Sequence, residues 1–90
     1  MPIISMFFGI VIRMFYKDHE PPHFHAEYQN QQAKFTFDGE LLVGEIRSRQ
    51  ARERIRRWAL EHRAQLLANW EKMKAGQPLE TIAPLQERKP

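Results

Sequence analysis

The chain contains no cysteine, which excludes disulfides and thiolate metal ligands and suits a reducing compartment. It has no apolar run of the ~20 residues that a membrane-spanning helix needs. Its most apolar stretch, Met1 to Ile12, ends at Arg13. That stretch also lacks the basic n-region and small-residue cleavage site of a secretory signal. We therefore expect a cytoplasmic protein with no membrane partner. No internal repeat or low-complexity segment interrupts the chain, so solenoid and linker readings fall away as well.

What is present describes one small domain. Ninety residues with 42% apolar content and ten aromatic side chains are enough for one modest core. We assign residues 1–85 to that domain and 86–90 to a flexible tail. Charge is unevenly spread. Residues 47–74 carry nine basic and three acidic side chains, whereas the remainder is net acidic. A basic segment of this kind points to a polyanion, RNA or DNA, or to an acidic protein partner.

The first half alternates with the two-residue period of strands. Phe24, Ala26 and Tyr28 fall on one face, with His23, His25, Glu27 and Gln29 on the other. Ala33, Phe35 and Phe37 alternate in the same way. Gly9 marks a bend, Asn30-Gln31 a hairpin turn, and Asp38-Gly39 a stronger turn signal. In the second half Ala51, Ile55, Trp58, Ala59, His62, Leu66, Trp70 and Met73 recur at three- and four-residue spacing. Ser48 is a fitting N-cap, and Gly76 before Gln77-Pro78 is a fitting stop. The expected fold is α+β: an antiparallel β-meander of four or five strands over about residues 3–46, packed against one long C-terminal α-helix over about 48–75. Leu79, Ile82 and Leu85 are expected to dock as an irregular segment.

Chemistry concentrates in Asp18-His19-Glu20-Pro21-Pro22-His23-Phe24-His25-Ala26-Glu27-Tyr28, which holds three of the four histidines. Imidazole titrates near neutrality and is also the commonest metal ligand. We take His19, His23, His25 and Glu27 as the candidate catalytic set, with one histidine as general base and another as general acid. No cofactor is required on this reading. If a divalent metal binds, His19, His23 and His25 are its candidate ligands, because His23 and Glu27 lie far apart along one strand. The bland alternative is a solvated polar face over a Phe24–Tyr28 core. Arg13, Arg49, Arg52, Arg56 and Arg63 are candidate contacts for nucleic acid or a partner, against the alternative of an ordinary charged helix face. His62 is read as a core histidine and alternatively as a further member of the site. Pro2 could supply a prolyl amine base only if Met1 were removed, and no other feature supports that.

The opening segment through Phe8-Gly9-Ile10-Val11-Ile12-Arg13-Met14-Phe15-Tyr16 and the proline–histidine stretch resemble the bacterial family of domain of unknown function DUF4160. Trp58-Ala59-Leu60-Glu61-His62-Arg63 and Leu66-Leu67-Ala68-Asn69-Trp70 fit it too. The resemblance implies a small stand-alone protein in a toxin–antitoxin-like two-gene setting, beside a cognate small protein partner. It carries no catalytic residue set. The expected function is thus a toxin–antitoxin-type component that binds or acts on RNA by metal-independent histidine chemistry. The alternatives are a non-enzymatic antitoxin or regulator using the basic helix, and a histidine metal-binding protein. Exposed sheet edges also make a homodimer plausible.

Overall fold

The computed structural model describes residues 2–86, so most of the expected tail, 87–90, lies outside the described residues. The first half forms the expected meander: β1 (Ile3–Phe7), β2 (Ile10–Arg13), β3 (Phe24–Tyr28), β4 (Gln31–Phe35) and β5 (Leu41–Gly44). They pair antiparallel in sequence order as one five-stranded sheet. Two hairpins close on residues in the left-handed region, Phe8-Gly9 and Gln29-Asn30. Positive φ at both central positions gives the turn a twist that matches the flanking strands. The second turn falls one residue earlier than the expected Asn30-Gln31, because Tyr28 and Gln31 already face each other across the ladder.

One face of the sheet is apolar and covered. Ile10, Ile12, Phe24, Ala26, Ala33, Phe35 and Phe37 are buried there. The Trp58 ring packs against Phe7 and Phe24, with centroids 5.4 and 5.6 Å away. The Trp70 ring meets Phe37 edge-on at 6.0 Å. At the β4–β5 turn, Gly39 lies so close to the helix that a Cβ there would come within 2.6 Å of Arg56 Cα. That approach, with a φ of +80°, leaves room only for glycine.

The single long helix does not form as expected. The chain builds α1 (Arg49–Glu61) and α2 (Arg63–Lys74), separated by His62 at φ −120°, ψ 25°. No glycine or proline marks this break. His62 occupies the N-cap position of α2 but its side chain caps no backbone N–H; its Nδ1 pairs instead with the Gln65 side chain. The buried stripe keeps its phase across the interruption: Ala51, Ile55, Trp58 and Ala59 before it, Leu66, Trp70 and Met73 after it. Periodicity alone therefore reads the two helices as one.

Both outer ends follow their sequence signals. Ser48 Oγ accepts the Ala51 N–H at 3.1 Å. Beyond Lys74, Gly76 at φ 70° lets its own N–H reach Met73 O and the Gln77 N–H reach Lys72 O, a Schellman motif. The chain then returns as an irregular segment that buries Ile82 and Leu85. It is held by Ile82 N–H to Ile4 O, Trp58 Nε1–H to Ala83 O, and a two-way bond between the Asn69 amide and the Glu80 backbone. No helix among the described residues is long and apolar enough to cross a membrane.

Candidate functional site

The second face of the sheet has neither helix packed on it. Its register sets out the side chains in rows. Arg13 on β2 faces His25 on β3, His25 faces Lys34 on β4, and Lys34 faces Val43 on β5. In the next row Val11 faces Glu27, and Glu27 faces Gln32. Directly opposed residues have Cβ atoms about 4.5–5.5 Å apart, so the Arg13, His25 and Lys34 side chains are immediate neighbours. A shallow depression of about 160 Å³ opens here, lined by Arg13, Phe15, His25, Ala26, Glu27 and Gln32.

The loop after β2 folds over the end of this face and delivers Asp18. Its Oδ2 accepts the Phe15 N–H at 3.2 Å, a local turn that aims Oδ1 inward. Asp18 Oδ1 then accepts the His25 Nε2–H at 3.2 Å and lies 3.6 Å from His23 Nε2. His23 is only 6% exposed, wedged between the rings of Trp70 and His25 at 5.5 and 5.1 Å. Its Nδ1 donates to Pro21 O at 2.8 Å, and a carbonyl oxygen can only accept, so the proton position on that nitrogen is fixed. The cis Glu20-Pro21 bond lies in this loop, and the Glu20 carboxylate accepts the Trp70 Nε1–H at 3.0 Å. Loop, sheet end and α2 are thereby tied together.

The two histidines differ in environment. His25 is half-buried, meets the Phe15 ring edge-on at 4.4 Å, and sits between the cations of its row. Burial pushes its pKa below 6.5, an effect only partly offset by the hydrogen bond to Asp18 and that residue's charge. His23 Nε2 is shielded from solvent and has no hydrogen-bond partner.

Of the four residues proposed from sequence as the catalytic set, His23 and His25 come together while His19 and Glu27 do not join them. His19 is exposed and lines a depression of about 300 Å³ that borders the cluster through Asp18 and His23 but lacks His25. Glu27 pairs instead with Arg13 at 3.0 Å and accepts from Gln32 Nε2 at 3.1 Å. Asp18 takes the place expected of His19, and among the described residues the converging ligand-type set is Asp18, His23 and His25. Asp18 was visible in sequence only as one carboxylate among several, because strand alternation says nothing about a loop residue. His62 is half-buried beside Trp58 and is not part of the cluster.

Four of the six helix arginines are engaged within the fold, Arg54 by lying 4.1 Å over the Phe8 ring. Arg52 donates to Ile46 O and Arg47 O, Arg49 pairs with Glu53, and Arg63 pairs with Asp38. Arg49, Arg52 and Arg56 also line a cleft of about 500 Å³ between the β4–β5 turn and α1, where Glu40 and Glu53 offset their charge.

Fold and site together define a two-layer α+β domain with one open sheet face and a histidine–aspartate cluster at its end. The family described as domain of unknown function (DUF4160) matches residues 9–71, and the chain belongs to that family. The match spans β2 to most of α2 and includes the whole cluster. No curated protein and no solved structure gives a significant match.

Proposed function

We propose that the protein is a small cytoplasmic component of a toxin–antitoxin-type pair that acts on RNA through the open face of its sheet. The observation that carries this reading is the in-register row Arg13–His25–Lys34, which sets an imidazole between two cations on an uncovered surface. Phosphodiester oxygens suit the two cations, and a neutral imidazole between them suits proton transfer. Asp18 holds the His25 Nε2–H, which leaves Nδ1 as the basic nitrogen, the orienting role a carboxylate has in hydrolytic triads. In the proposed reaction His25 accepts the proton of a ribose 2′-hydroxyl, and the 2′-oxygen attacks phosphorus. The bond to the 5′-oxygen breaks, and that oxygen takes a proton from water. His23 cannot act as the partnering acid, because its free nitrogen is shielded. The chemistry therefore rests on one histidine where the sequence suggested two.

The partner reading has its own support in β5, an edge strand whose Leu41, Leu42 and Val43 are all exposed. An unpaired apolar edge of this kind can accept a strand from a cognate protein or a second copy. Arg13 is ion-paired to Glu27 much as Arg49 and Arg63 are to Glu53 and Asp38, so pairing does not decide against the basic-helix alternative. The open face is preferred because it sets an imidazole beside its cations. The deciding assay combines growth arrest on expression with cleavage of labelled single-stranded RNA by the purified chain. His25→Ala should abolish both while the protein stays folded. Full activity in that variant would sink the proposal.

A further inference from the structure

His23 presents a chemical problem that the RNA reading leaves unanswered. Its Nδ1 carries the hydrogen donated to Pro21 O, so in the neutral ring Nε2 holds a bare lone pair. That lone pair is buried, has no hydrogen-bond partner, and faces the Asp18 Oδ1 oxygen at 3.6 Å. A shielded lone pair facing a carboxylate oxygen is unfavourable, and a positive charge between the two would relieve it. The candidates are a proton on Nε2 or a metal ion.

We propose that Asp18, His23 and His25 bind one divalent transition-metal ion of the zinc class, through Asp18 Oδ1 and the two Nε2 atoms. The donor set, two imidazoles and a carboxylate, is one that such ions take when they keep a coordination position open. Two of the three ligand spacings also fit. For metal–ligand distances of ~2.0–2.1 Å, a tetrahedral site places its ligand atoms about 3.3–3.4 Å apart. Asp18 Oδ1 lies 3.2 Å from His25 Nε2 and 3.6 Å from His23 Nε2. All three residues offer ligand atoms within 4.8 Å of one another.

The surroundings are those of a supported site. A ligating histidine ordinarily donates its other ring N–H to a carbonyl or carboxylate, which fixes the tautomer and the ring plane. His23 makes that bond to Pro21 O. The Phe15 N–H anchors Asp18 Oδ2, leaving Oδ1 to ligate. Trp70 packs on the His23 ring and holds Glu20 of the same loop, so the ligands are positioned from the helix side.

The inference does not rest on the RNA reading, but it constrains it. An ion on His25 Nε2 displaces the proton to Nδ1, the nitrogen proposed as the base. The metal-loaded chain would then be inactive in base catalysis, and the metal-free chain would be the active one.

The test is titration of protein purified without a histidine tag with cobalt(II) alone and then zinc(II), in the absence of RNA. The expected result is one equivalent of cobalt, with visible d–d bands of tetrahedral intensity that zinc bleaches. Asp18→Asn and His25→Gln should each weaken uptake at least tenfold, while His19→Ala and Glu27→Gln leave it unchanged. Imidazole ¹⁵N spectra of the wild-type chain supply a readout that needs no variant: zinc should shift Nε2 of both His23 and His25. Overturning results are no stoichiometric uptake, uptake lost as fully in His19→Ala as in Asp18→Asn, or ¹⁵N spectra showing a doubly protonated His23 that zinc does not change. Failure here leaves RNA cleavage by the metal-free chain standing, and failure of the RNA assay leaves the titration standing.

Discussion

The covered face of the sheet and its open face are made from the same strands, one residue apart in phase. On the covered side Phe24, Phe35 and Phe37 stack beneath Trp58 and Trp70, and both indole N–H groups are tied to backbone or carboxylate. On the open side the neighbouring positions are Arg13, His25, Glu27, Gln32 and Lys34, which pair with one another or face solvent. The difference separates two kinds of selection on one sheet. Packing dictates the first set, since nearly any change there leaves a void or an unpaired polar group. Little in the folding energetics dictates the second set, so its chemistry has to be explained by what binds to it.

The comparison breaks most visibly at Trp58, which is fully buried against Phe7 and Phe24 and donates to Ala83 O. Replacement by alanine removes a large ring from a core that cannot close over it, and should cost about 3–5 kcal/mol. Urea denaturation would measure this. In a domain of this size such a loss comes close to unfolding the chain. A near-neutral result would mean that the helix layer is not what stabilises the sheet.

The covered face was legible in the sequence, and the reason is periodic. Phe24, Ala26, Phe35 and Phe37 announce themselves at intervals of two, and the helix stripe at intervals of three and four. Ser48 and Gly76 announced their caps through local chemistry. The break at His62 was not legible, because it costs the stripe no phase and uses neither glycine nor proline. The cluster was legible by half. His23 and His25 come from a strand and its approach, but Asp18 arrives by a loop path that no periodicity encodes. His19, two residues before the prolines, was the tempting choice and is exposed.

Changes on the open face should give the opposite pattern, large for function and small for stability. Replacing Arg13 and Lys34 together with alanine should weaken RNA association severalfold or more and flatten its salt dependence, since each cation lost removes about one phosphate contact. Stability should move by less than about 1 kcal/mol, the ordinary scale for a part-exposed ion pair such as Arg13–Glu27. Filter binding across a salt series and a parallel urea titration would check both. Unchanged affinity with a flat salt response would return the row to the status of a solvated surface.

Trp70 lies on the seam between the two faces. Trp70→Phe keeps a ring against His23 and Phe37 but removes the Nε1–H donated to Glu20. Loss of one hydrogen bond to a carboxylate should cost about 1.5–3 kcal/mol at most, and less where, as here, the acceptor reaches solvent. The sharper readout is the loop. If Trp70 positions the His23-bearing segment through Glu20, cobalt affinity should fall in this variant although no ligand has changed. Unaltered affinity would show the loop to be self-supporting.

The smallest effect is a pH dependence of stability assignable to His25. Burial holds its folded-state pKa below 6.5, the value it has in the unfolded chain. Above that value both states carry a neutral ring, and the residue contributes no slope. As pH falls below it, the unfolded chain takes up the proton first, so more protons are bound unfolded than folded and stability declines. The decline stops once the folded ring is protonated as well. Urea midpoints of wild type and His25→Gln, compared at about pH 8 and about pH 5, should therefore diverge, the wild type losing more on acidification. The Asp18 hydrogen bond and charge oppose the burial effect, so Asp18→Asn should steepen the wild-type decline. An equal acid response in all three proteins would show that His25 is as well solvated as an exposed surface histidine. The open face would then extend over the cluster itself, and the shielded environment would belong to His23 alone.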